Sequence, residues 1–143
     1  MIKLKEIDRN NFEDVIKLSV FEEQKNFVAS NIFSLAQAKA QPECVPLAIY
    51  HDKDLVGFVM YALDTEDKEY WIYRLMIDKR YQKMGYGRAV MQSILDRIAS
   101  HKPNGKVYLS FDPANTVAKK LYEDMGFIAD GRIIEGEVVY CLK

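Results

Sequence analysis

The sequence predicts a mixed α/β (α+β) fold, a mostly antiparallel sheet of about six to seven strands flanked by about four helices. Three observations predict it. Apolar and polar residues alternate, or β-prone residues cluster, over residues 2–7, 46–50, 55–63 and 70–78. Helical spacing takes over at Ala89, Val90, Ile94, Leu95 and Ile98, and strand and helix patterns then alternate to the end of the sequence. The length of 143 residues suits one domain, residues 1–143, able to bury roughly two-thirds of its unfolded surface.

Each element has a local reason. Residues 2–7 alternate apolar with charged, as a half-buried strand does. Asp8 to Asn11 supply turn and cap residues, after which Phe12, Val15, Ile16 and Leu18 fall on one helical face. A second apolar pattern, Phe27, Val28, Ile32, Phe33, Leu35, Ala36 and Ala38, is interrupted by Ser30-Asn31, a fresh cap. It predicts a helix, a bend and another helix ending before Pro42. His51-Asp52-Lys53-Asp54 is a short polar turn between two β-type runs, and the acidic stretch 64–69 precedes a third, so three successive antiparallel strands result. The strongest helix comes next, with Gly85 and Gly87 at its entrance and Lys102-Pro103-Asn104-Gly105 at its exit. Residues 106–111 form a short strand, and Asp112-Pro113-Ala114-Asn115 leads into a helix through Val117, Ala118, Leu121, Tyr122 and Met125, closed by Gly126. Residues 127–134 and 138–142 make a final hairpin around Glu135-Gly136.

Composition excludes several classes of function. Hydrophobic residues are 49%, charged residues 29%, and the formal net charge is -1, so no nucleic-acid footprint shows. The two cysteines, Cys44 and Cys141, stand in no metal-ligand or redox spacing, and no metal site is expected. Neither a secretory h-region nor a run of about eighteen apolar residues occurs, so the expected address is the cytoplasm, with no membrane partner. His51 abuts a turn and His101 a helix exit, and no Ser-His-Asp or Cys-His arrangement is readable; direct transfer is the economical chemistry.

The informative stretch is a strand followed by Lys79-Arg80-Tyr81-Gln82-Lys83-Met84-Gly85-Tyr86-Gly87-Arg88 and then the long helix. N–H groups at a helix start point outward without partners, the dipole adds positive potential, and glycines let a ligand come close, so the turn can bind phosphate. Lys83 and Arg88 add charge that suits a pyrophosphate. A Walker loop is excluded by the missing Gly-Lys-Ser/Thr. The dinucleotide fingerprint fails at Val90 and at the seven residues counted from Asp78 to Gly85. What remains is Gln82-x-x-Gly85-x-Gly87.

That pattern resembles the acyl-CoA pyrophosphate loop of the GNAT superfamily. Asn115-x-x-Ala118-x-x-Leu121-Tyr122-x-x-x-Gly126-Phe127 resembles the same superfamily's second cofactor segment. The resemblance spans the whole chain and implies the GNAT fold, with its splayed sheet, and acetyl-CoA as co-substrate. It further implies that the backbone of Leu75, Met76 and Ile77 pairs with the pantetheine arm, that Gln82, Lys83, Met84, Gly85, Tyr86, Gly87 and Arg88 surround the pyrophosphate, and that Asn115 touches the pantetheine end. By the same resemblance Tyr122 is the general acid that protonates the departing thiolate, and an amide near Leu75 or Met76 steadies the oxyanion.

The acceptor is an amine that must lose a proton, at a cost of roughly 4 to 5 kcal/mol for a lysine-like group at pH 7. Relatives that acetylate polyamines often carry a carboxylate two residues before the position of Leu75, where this chain has Tyr73. Arg74 beside it is no substitute for a base. An ordered water leading towards Glu69, Glu22, Glu23 or bulk solvent is therefore expected to take the proton. Gln24-x-x-Phe27-Val28-Ala29-x-Asn31 followed by Ser34-Leu35-Ala36-x-Ala38 is similar to the helix pair of bacterial spermine/spermidine acetyltransferases, which implies a polyamine acceptor. Glu22, Glu23 and Glu69, with Trp71 and Tyr73 on one strand face, are the expected substrate contacts. Another small amine, a peptide amino terminus or a non-catalytic acyl-CoA sensor are the alternatives. Resemblance to dimeric relatives makes a homodimer an expectation as well.

Overall fold

A computed structural model describes residues 1–143. Strands β1 (Ile2–Glu6), β2 (Cys44–His51), β3 (Asp54–Leu63), β4 (Tyr70–Ile77), β5 (Val107–Phe111), β6 (Ile128–Ile134) and β7 (Glu137–Leu142) form one sheet. Their order is β1-β2-β3-β4-β5-β7-β6, antiparallel throughout except for the parallel pair β4 and β5. The helices are α1 (Phe12–Lys17), α2 (Asn31–Ala40), α3 (Tyr86–His101) and α4 (Thr116–Asp124). No helix is long and apolar enough to cross a membrane.

The sheet is covered on both faces. Val90, Met91, Ile94 and Ile98 of α3 and Tyr122 of α4 pack on Leu47, Ile49, Val59, Tyr61, Ile72, Leu109, Phe111 and Tyr140. On the opposite face, Val15 and Leu18 of the α1 region, with Leu35 and Ala38 of α2, pack on Ala48, Phe58, Met60, Ala62 and Met76. This division arises from the period of two along β2 and β3, whose consecutive side chains go to opposite layers.

Caps and turns are set by the residues the sequence offered. Ser30 Oγ accepts the Phe33 N–H and starts α2. The final hairpin turns on Glu135 (φ 50°) and Gly136 (φ 82°), both left-handed as a two-residue loop requires. Two expectations need correcting. The helix expected before Ser30 is only a three-residue 3₁₀ turn, Glu22–Gln24, since a short segment cannot offset the cost of nucleating a helix. Asn11 precedes α1 but does not cap it; its side chain instead donates to the Glu6 carbonyl and accepts the Asp8 N–H.

Candidate active site

The cleft lies where the sheet comes apart. β4 and β5 pair at only three positions, Tyr70 with Val107, Trp71 with Tyr108 and Ile72 with Leu109. Beyond Ile72, β4 keeps β3 on one edge and has no strand on the other. The wedge so formed is a cleft of ≈ 430 Å³ that passes between the strands from the α3 and α4 face to the face of α2.

Register decides which backbone groups of β4 look into this wedge. The Asp78 N–H donates to the Val56 carbonyl of β3 at 2.8 Å. The Met76 carbonyl lies so close against Gly57 of β3 that any Cβ there would collide with it. Polar groups along a strand alternate between its two edges, so those of Leu75 and Ile77 face the opening. Gln82 Nε2 reaches the Ile77 carbonyl there at 3.0 Å. Of Leu75 and Met76, then, Leu75 presents its N–H to the cleft, while Met76 spends its polar groups on β3 and buries its side chain.

A bulge interrupts this alternation nearer the start of β4. Met60 pairs with Arg74 and Tyr61 with Ile72, which leaves Tyr73 without a partner and sends both Tyr73 and Arg74 to the α2 face. The Tyr73 hydroxyl donates to Asp64 at 3.3 Å, and burial, then the Asp64 charge, pushes its pKa up. Arg74 donates from Nη2 to Gln37 Oε1 of α2 at 2.8 Å and from Nη1 to the Tyr73 carbonyl at 2.9 Å, while its buried Nε has no partner.

The turn into α3 is built from left-handed residues, Lys83 at φ 64° and Gly85 at φ 83°, and Gly85 occupies the N-cap with no side chain to close it. None of the backbone N–H groups from Gln82 to Arg88 has an acceptor within the chain. Lys83 and Arg88 line the same end of the cleft. Anion binding is what such a constellation can do. The turn is held from behind. Gln82 and Gln24 exchange amide hydrogen bonds of 2.9 and 3.1 Å, which ties it to the 3₁₀ turn at Glu22–Gln24. Buried Asp78 accepts the N–H groups of Ser19 (2.9 Å) and Arg80 (3.0 Å) and Arg80 Nε (2.8 Å). Burial raises the pKa of Asp78, but Arg80 and the two backbone donors outweigh it and hold the carboxyl below its ordinary range.

The facing wall comes from β5, α4 and β7. Asn115 caps α4 by accepting the Ala118 N–H at 3.2 Å, leaving its Nδ2 donors toward the cleft it lines. Tyr122 packs its ring against Phe111 and Phe127 at centroid distances of 5.6 and 5.9 Å. Burial, and secondarily the Glu137 charge, pushes its pKa up to about 12, so at neutral pH it is a proton donor.

Among the residues the sequence singled out, Tyr73, Leu75, Met76, Ile77, Gln82, Lys83, Gly85, Tyr86, Gly87, Arg88, Asn115 and Tyr122 line one cleft. Five others do not reach it. Met84 points to solvent. Glu22 is exposed and paired with Lys25 at 2.8 Å, and Glu23 is exposed beside it. Glu69 pairs with Lys102 at 3.1 Å and accepts the Lys106 N–H at 2.9 Å. Trp71 stacks on Tyr108 at 5.0 Å, donates from Nε1 to Asp67 at 2.9 Å and lies beneath Arg132. Glu69 and Trp71 fail for one reason: they belong to the part of β4 that β5 still closes.

One residue was missed. Glu137, the first of β7, lines the cleft, and no sequence pattern announces it. Only the register of the last hairpin places it there.

Residues 4–127 match the model of the Acetyltransferase (GNAT) family. The chain belongs to this acetyltransferase family. It is 30% identical over 145 aligned positions to the spermine/spermidine N(1)-acetyltransferase of Bacillus subtilis, covering 96% of this chain and 95% of that protein. The PaiA N-acetyltransferase of Thermoplasma acidophilum, solved in complex with coenzyme A, superposes with a TM-score of 0.75 at 14% identity over 100% of this chain and 99% of its own. Spermidine N-acetyltransferase of Vibrio cholerae, solved with CoA and spermine, gives 0.75 at 18% identity over 98% and 92%. The mixed, splayed sheet of this acetyltransferase is thus the GNAT fold.

Proposed function

We propose that residues 1–143 act as one catalytic unit that transfers the acetyl group of acetyl-CoA to a primary amine of a polyamine, spermine or spermidine. The observation that carries this reading is the run of unpartnered N–H groups from Gln82 to Arg88 opening onto the unpaired edge of β4. Acetyl-CoA supplies an activated thioester carbonyl. The N–H groups at the start of α3, with Lys83 and Arg88, fit its pyrophosphate. The free edge at Leu75 and Ile77 fits an amide-bearing arm laid along it as an added strand, and the Leu75 N–H is the donor for the carbonyl oxygen as it gains charge. Asn115 Nδ2 orients the arm. Tyr122 hands its proton to sulfur, a role that its high pKa and its place in the cleft allow.

The polyamine assignment is supported by the relationship to the Bacillus subtilis enzyme over nearly the whole of both chains. A second reading keeps the chemistry and changes the acceptor to a small amine or a peptide amino terminus. Arg74 favours it, because a polycation crossing the α2 side of the cleft meets a like charge there. Thiol-release kinetics over a panel of spermine, spermidine, monoamines, amino sugars and peptides decides between them. Turnover confined to polyamines supports the first reading, turnover of the others alone supports the second, and no thiol release with any amine overturns both.

A further inference from the structure

We infer that Glu137 is the catalytic residue that receives the acceptor's reacting ammonium and takes its first proton; this rests on the amine-acetylation reading of the cleft. Three observations converge on it. Along β5 and β7, Leu109, Phe111, Val138 and Tyr140 go to the core beneath α3 and α4. Ser110 and Glu137 alternate with them and so point to the opposite face, the one to which the β4 bulge turns Arg74. Glu137 therefore stands on the far lip of the wedge from Tyr122, with the β4 edge at Leu75 between the two layers.

Its bonding leaves it available. Ser110 Oγ donates to Glu137 Oε1 at 2.8 Å and fixes the carboxylate, while Oε2 has no partner in the chain. Glu137 makes no ion pair, although Arg74 is close enough across the cleft for the two charges to act on each other. Arg74 is engaged instead with Gln37 and the Tyr73 carbonyl. The titratable groups that share the cleft with Glu137 are thus Arg74 from β4 and Tyr122 from α4. A carboxylate fixed in a cleft, without a cation of its own, is the complement of an incoming ammonium.

Protons and bonds balance across the step. The ammonium gives one proton to Glu137 Oε2, which passes it to solvent, and the freed nitrogen lone pair forms the C–N bond to the acetyl carbon as the C–S bond breaks. Tyr122 gives its proton to sulfur, and the second proton leaving nitrogen restores Tyr122. One proton is released per turnover. Glu137 thus supplies the carboxylate whose absence at Tyr73 left the proton without a destination.

The test compares a strongly basic acceptor, spermidine, with a weakly basic one such as methoxyamine, which is already neutral at pH 7. For Glu137→Gln, kcat/KM with spermidine should fall by about 10², while methoxyamine changes by less than threefold and coenzyme A binding by titration is unchanged. With spermidine, kcat/KM of the variant should keep rising toward the amine's own pKa of about 10.4 after wild type has levelled. Glu137→Asp, which keeps the charge, should lose less than Glu137→Gln. Equal losses with both amines, equal losses in both variants, or no loss overturn the assignment. Should Glu137→Gln not fold, Ser110→Ala carries the test: a severalfold rise in KM for spermidine alone supports it, and an unchanged KM overturns it. If the wild-type chain accepts other basic amines but no polyamine, the same comparison is run with one of them, so the two ideas fail separately. A chain that acetylates no amine overturns both.

Discussion

The two walls of the cleft present their chemistry in opposite ways. On the β4 wall the backbone faces the ligand and the side chains are occupied: Asp78 holds Ser19 and Arg80, Gln82 holds Gln24 and Ile77, and Arg74 holds Gln37. On the β5, α4 and β7 wall the backbone is consumed by helix and hairpin, and side chains face inward: Tyr122, Glu137 and Nδ2 of Asn115. A wall that works through its backbone tolerates changes of side chain and is sensitive to conformation. A wall that works through side chains has the reverse sensitivity.

The largest effect that could break this comparison is at Tyr122. Tyr122→Phe should lower kcat by about 10² or more while coenzyme A affinity and melting temperature hold, because the hydroxyl bonds nothing in the fold. Unchanged kcat would mean that the side-chain wall is passive. With Tyr122 near 12, ionisation of this group should produce no loss of rate below pH 10.

Next comes Asp78, whose work is structural. Asp78→Asn should destabilise the fold by about 2 kcal/mol through loss of charge-assisted hydrogen bonds, measured by urea unfolding. The folded pKa of Asp78 is depressed, so its contribution is present above the unfolded value of about 3.9 and disappears as pH falls through the folded value. The variant should therefore lack that part of the acid dependence, and an identical acid profile would contradict the assignment.

Gly87→Ala sharpens the contrast. A Cβ at Gly87 meets only Leu121 Cδ2, at 3.7 Å, so the helix gains about 0.5 to 1 kcal/mol. KM for acetyl-CoA should nevertheless rise, because the new methyl stands where the ligand approaches the backbone. A gain in stability without a rise in KM would place the phosphates elsewhere. The smallest effect is expected at Trp71→Ala, which should leave kcat/KM with spermidine within about twofold, since only a weak surface stack is lost.

What the sequence could announce was whatever a backbone conformation demands of residue type. Gly85 at φ 83° and Asn115 as a cap are such demands, and they locate both cofactor segments. Parity was legible too: Trp71 and Tyr73 do alternate with Ile72. Distance along the strand was not. Nothing in residues 70–78 says that β5 lets go after Ile72, and that single fact separates Tyr73, in the cleft, from Trp71 and Glu69, outside it. The bulge at Tyr73 and the register of β7 depend equally on partner strands remote in sequence, which is why the carboxylate missing at Tyr73 could not be sought on β7 and Glu137 went unseen.

The three-residue ladder between β4 and β5 also has a mechanical meaning. It is the thinnest seam of backbone bonding in the sheet, so local opening and amide exchange should be fastest there, along the line where the reaction is proposed to occur. Acetyl-CoA gripping the α3 turn on one flank and Asn115 on the other would stitch that seam shut, raising the melting temperature as the bound fraction grows. The gap that admits the reactants is thus the joint that they themselves complete.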